Sequence, residues 1–105
     1  MQVNKMKEKI ILRNIDIKRV LIGVPENHKH LRVIIETDQK IIVFYEAAIA
    51  NIVRGFTIIK THPIIEALEL EARKVEEGKK SFAEIQLIET SKKKEDIIKE
   101  INNLI

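Results

Sequence analysis

The sequence predicts an α+β fold in one domain spanning residues 1–105, an antiparallel sheet of about six or seven strands with two helices packed on it. Three observations carry this expectation. Apolar and β-branched runs bounded by turn residues fill the first 45 positions. The apolar period changes to that of a helix after Glu46, and a second helical repeat closes the chain from Ile97 onward.

The elements follow in chain order. Residues 8–15 alternate in part, with Ile10 and Leu12 on one face and Lys9 and Arg13 on the other, and read as a first strand. Residues 18–24 form a second strand that ends at Pro25, where φ is fixed and a backbone donor is lost. Residues 25–29 then make a turn. Residues 30–37 and 40–45 are two strand runs joined by Asp38 and Gln39, and a connection of that length predicts a hairpin. Pairing Thr37 with Lys40 sets Val33 opposite Phe44 and Ile35 opposite Ile42 on one face. Arg32, Ile34 and Glu36 meet Tyr45, Val43 and Ile41 on the other.

From Glu46, the residues Ala48, Ile49, Ile52, Val53 and Phe56 share one helical side, and Gly55 offers a left-handed cap to end that helix. Residues 56–61 then read as a short strand. Residues 63–77 carry two periods. Proline near the start and Gly78 after the end suit a helix, whereas Leu68, Leu70 and Ala72 alternate with Glu69, Glu71 and Arg73 as a strand does. The alternation favours a hairpin in which Ala83, Ile85 and Leu87 answer across a turn at residues 76–79, and a third helix over 63–77 is the alternative. Ile97, Ile98, Ile101, Leu104 and Ile105 have helical spacing, with Thr90 or Ser91 in place to cap.

Composition limits function. Isoleucine, lysine and glutamate number 21, 14 and 13 of 105 residues, and cysteine and tryptophan are absent. Lysine and glutamate enrichment with few thermolabile side chains is the trend of heat-adapted proteins. The lack of cysteine excludes disulfides, thiolate metal centres and a cysteine nucleophile. Three glycines, at 23, 55 and 78, cannot build a nucleotide-cradling loop. Charged residues break every apolar run near the start, so a cytoplasmic location without a membrane span is expected, and no cofactor is implied.

The candidate sites are few. Residues 1–32 hold eight Lys/Arg against three acids, and lysines recur at 79–80 and 92–94. Lys5, Lys7, Lys9, Arg13, Lys18, Arg19, Lys79, Lys80, Lys92, Lys93 and Lys94 are therefore the candidates for binding nucleic acid or another polyanion. Lysines at a helix start oppose its dipole, so a phosphate at Lys92–Lys94 or simple solvation must account for them. His28 and His30 project to one side of an extended segment and form a sparse metal site, with Glu26 or His62 as a third ligand. His62 with Glu46 and Arg54 is a trio suited to proton transfer. The hairpin face made by Ile34, Ile41, Val43 and Tyr45 is too apolar for a solvated surface, and Ala47, Ala48 and Ala50 allow close approach of another element. Together these point first to a homo-oligomeric, non-enzymatic binding domain, then to a salt-sensitive polyanion binder, and last to a metal protein or enzyme using His28, His30 or His62.

Overall fold

The computed structural model describes residues 7–74 and 85–105. The chain divides into two compact units, Met1–Tyr45 and Glu46–Ile105. It is α+β, but in place of the single sheet of six or seven strands the described residues form five strands in two antiparallel sheets.

The first unit holds β1 (Ile17–Gly23), β2 (Arg32–Thr37) and β3 (Ile41–Tyr45), in the spatial order β1-β2-β3. The β2–β3 register is the one expected from the sequence, with Val33 opposite Phe44, Ile34 opposite Val43 and Ile35 opposite Ile42. Thr37 fixes it. Its backbone N–H donates to the Lys40 carbonyl at 2.9 Å, and its hydroxyl accepts from the Lys40 N–H at 3.0 Å. After β1 the chain turns through Asn27 at φ 64°, the left-handed region that asparagine tolerates better than most residues.

The first expected strand, over residues 8–15, is absent. The Arg13 N–H donates to the Asp16 carboxylate at 3.0 Å while its guanidinium binds the same group at 3.1 Å, closing a 3-10 turn over Asn14–Asp16. Pairing with β2 begins only at Ile17, and the register shifts between Ile17 and Arg19. That irregularity ends the ladder before residues 8–15 can join it.

The second unit comprises α1 (Glu46–Thr61), β4 (Leu70–Lys74), β5 (Ile85–Glu89) and α2 (Lys94–Leu104). Helix α1 runs through Gly55 and absorbs the strand expected at 56–61. An interior glycine costs a helix only about 1 kcal/mol, too little to stop it. The hydroxyls of Thr57 and Thr61 donate to the carbonyls of Val53 and Thr57, at 2.9 and 2.7 Å, so these residues satisfy themselves within the helix. The helix ends where Pro63 disfavours helical geometry at His62.

Gly55 is the one buried residue of α1, because the side chain of Leu68 lies against it, 3.3 Å from where a Cβ would stand. Ile52, Val53 and Phe56, expected on the inner face, are exposed. Strands β4 and β5 pair with Leu70 opposite Glu89 and Ala72 opposite Leu87. The hairpin reading of residues 63–77 therefore holds for β4, and no helix forms over residues 63–74; the turn expected at 76–79 and Ala83 lie outside the described residues. Helix α2 starts two or three residues later than a Ser91 or Thr90 cap would place it; Lys93 is its N-cap residue and makes no side-chain capping bond. Among the described residues, Ala67 and Ile97 are the buried apolar side chains of this unit, and Val33 is that of the first.

Candidate functional site

Three surfaces gather the residues singled out from the sequence. The first is the β1-β2-β3 sheet. Cross-strand pairing puts Leu21, Ile34 and Val43 in one row, with Ile41 and Tyr45 beside it on the same face. Ile41, Val43 and Tyr45 are 69%, 50% and 65% exposed, while Ile34 is half-buried. The Arg32 guanidinium lies 3.8 Å from the centre of the Tyr45 ring and fixes that ring at the end of the row. Val20, Ile22, Val33, Ile35, Ile42 and Phe44 share the opposite face, so the sheet is apolar on both sides. An antiparallel sheet with one wet face alternates apolar and polar residues, and this one does not.

The second surface is the set of basic residues, and acids hold much of it. Lys18 pairs with Asp38 at 2.8 Å, which raises the lysine above its usual pKa; Arg19 pairs with Glu36 at 2.6 Å. Arg13 is closed on Asp16, through a hydrogen bond that lowers the pKa of that carboxyl. At the start of α2 the lysine triplet divides. Lys92 Nζ donates to Glu69 at 2.9 Å and to Glu100 at 3.1 Å, and Glu69 also accepts from the Thr90 hydroxyl at 2.9 Å. Those bonds raise the pKa of Lys92 and lower that of Glu69. Lys94 Nζ donates to the Ile64 carbonyl at 3.3 Å and stands 3.7 Å from Glu66. The dipole conflict is thus answered from within the unit, since Lys92 and Lys94 tie α2 to the segment ahead of β4. Lys93 has no ion-pair partner among the described residues, nor do Lys7 and Lys9. Lys5, Lys79 and Lys80 lie outside the described residues.

The third group is the histidines, of which His28 and His62 each bond a backbone carbonyl close by in sequence. His28 Nδ1 bonds the Glu26 carbonyl at 2.7 Å. His62 Nδ1 bonds the Ile58 carbonyl at 3.1 Å and the Thr61 hydroxyl at 3.0 Å. Since a carbonyl only accepts, Nδ1 carries the proton in both rings. His62 has no carboxylate partner among the described residues, so the trio with Glu46 and Arg54 is not assembled. No cluster of three or more metal-ligating side chains occurs among them either, which leaves His28 and His30 short of a site.

One feature of the second unit was not foreseen. A cleft of about 550 Å³ lies between α1 and β5, lined by Ala47, Ala48, Asn51 and Arg54 on one wall and Ile85–Glu89 on the other. Its only sequence signal is the run of alanines, whose small side chains leave the space open. Asn51 Nδ2 is spent on the Ala47 carbonyl at 2.8 Å.

Fold and site together define a small α+β protein of two units, each with its own antiparallel sheet, in which exposed apolar side chains occur on both units and include six on the β1-β2-β3 sheet. Compared with known proteins, the chain matches no protein-family model, no curated protein and no solved structure. No described helix is long and apolar enough to cross a membrane.

Proposed function

We propose that this protein is a non-enzymatic interaction module that works as a homo-oligomer, with the β1-β2-β3 sheet as its self-association surface. One observation carries the reading: a sheet apolar on both faces has Val33 as its only buried apolar side chain. Three strands become stable by packing a hydrophobic face against something, and exposed apolar patches of this kind mark association sites. A two-fold dimer is the commonest way for a small subunit to supply that cover. The same reading places the protein in the cytoplasm of a heat-adapted organism, in keeping with its lysine and glutamate content.

Polyanion binding has less support, because Arg13, Lys18, Arg19, Lys92 and Lys94 already face carboxylates of their own chain. Sedimentation equilibrium over a range of micromolar concentrations tests the proposal. A dimer or larger assembly is expected, and Val43→Glu, which puts a charge on the apolar face in the middle of β3, should shift it toward monomer. A wild-type protein that stays monomeric throughout overturns the reading.

A further inference from the structure

The geometry points to a particular way for two copies to join: β3 pairs antiparallel with β3 of a second copy about a two-fold axis at Val43, giving a continuous six-stranded sheet. The inference rests on the self-association proposed above and adds the edge, the register and the partner strand.

The hydrogen-bond directions come first. The Thr37 N–H donates to the Lys40 carbonyl, so Thr37 and Lys40 form a hydrogen-bonded pair of the ladder. Antiparallel pairs alternate between bonded and non-bonded, so Ile35/Ile42 and Val33/Phe44 exchange bonds, while Glu36/Ile41, Ile34/Val43 and Arg32/Tyr45 do not. The N–H groups of Ile41, Val43 and Tyr45, with the carbonyls of Ile41 and Val43, therefore point away from β2. Strand β3 stands at the end of its sheet, and no other strand pairs with it among the described residues.

The two edges of this sheet are treated differently. Natural proteins protect an open edge with charge, proline or a bulge. Strand β1 has such protection in Lys18, Arg19 and the register shift between Ile17 and Arg19. Strand β3 reads Ile-Ile-Val-Phe-Tyr, with no charge, no proline and no irregularity. It is the edge left open to pairing.

Self-complementarity then selects a second copy as the occupant. In an antiparallel pairing centred on Val43, Ile41 lies opposite the copy's Tyr45 and Ile42 opposite its Phe44, so apolar residues meet on both faces. Just beyond the strands, Lys40 comes next to the copy's Glu46, the first residue of α1, and the opposite charges brought together at both ends favour that register. Glu46 also makes an interaction within its own chain, and the pairing adds to it. Val43 meets Val43 as a hydrogen-bonded pair, because both present their N–H and C=O outward.

The test uses the absence of native cysteine. Hydrogen-bonded partners have Cα atoms about 5.5 Å apart, inside the disulfide range of about 4.4–6.8 Å. The full-length Val43→Cys variant should oxidise in air to a covalent dimer that reducing agent separates. Leu21→Cys, two strands farther from the axis, would sit more than about 20 Å from its copy at the ordinary strand spacing and should stay unlinked. Amide exchange on wild-type protein gives an independent reading: Val43 and Tyr45 should be protected, and protection should fall on dilution into the monomer range. A wild-type dimer whose Val43→Cys variant does not link, or whose two amides exchange freely, overturns this register and leaves the self-association proposal standing. A monomeric wild type overturns both.

Discussion

At the residue scale, Glu69 is the carboxylate that joins the segment ahead of β4 to Thr90 and Lys92. It accepts hydrogen bonds from Lys92 and Thr90, which lower its pKa from the ordinary 4.5, and its backbone carbonyl accepts from the Thr90 N–H at 3.0 Å. A carboxyl held below its unfolded value contributes stability above that value and loses it as pH falls through the lowered one. Lys92 works in the opposite sense. Held above 10.5, it contributes below that pH and loses its contribution as pH rises through the raised value. Glu69→Gln should therefore lower stability near neutral pH and flatten the loss of stability below about pH 4.5, as read by urea unfolding at a series of pH values. An unchanged acid limb in the variant would show that the Glu69–Lys92 contact adds nothing to folding. These pairings were out of reach of the sequence. Glu69 and Lys92 stand 23 positions apart, and only the fold brings them to 2.9 Å.

At the element scale, the β2–β3 hairpin was legible because a short connection and an alternating pattern agree, and each fixes the register independently. Residues 8–15 misled because Ile10, Ile11 and Leu12 have strand-like side chains, whereas the turn closed by Arg13 and Asp16 and the register shift after Ile17 keep them out of the ladder. Gly55 misled for a related reason: as a lone residue it looks like a cap, whereas in α1 it provides room for Leu68. That role makes opposite predictions for two substitutions. Gly55→Ala gains helix propensity of about 1 kcal/mol against a contact with the movable end of half-buried Leu68, so a net gain of about 0.5 kcal/mol is expected. Gly55→Leu drives a full side chain into that contact and should cost about 1–3 kcal/mol, the ordinary range for overpacking. Chemical denaturation of the two variants decides this. Equal and small effects would mean that α1 and Leu68 separate at little cost.

At the scale of the whole molecule, the α+β class could be read from the changes of period, but the division of five strands into two sheets could not. Alternation says that a segment is extended and which residues share a face; it does not say which edge another strand will choose. The apolar face of Ile34, Ile41, Val43 and Tyr45 was visible because its residues alternate with those of an equally apolar opposite face. Its consequence is thermodynamic. A chain that joins a second copy through its sheet has a folded state that association stabilises, so its melting temperature must depend on protein concentration. A two-state dimer gains about 1.4 kcal/mol for each tenfold rise in concentration. With an unfolding entropy of about 2.1 cal/mol/K per residue over two chains, that corresponds to a rise of about 3 °C per decade. Calorimetry at two concentrations a hundredfold apart should thus separate the transitions by about 6 °C, and Val43→Glu should reduce the separation. Coincident transitions in the wild type would mean that no second copy stabilises the fold, and the oligomeric reading would fall with that result.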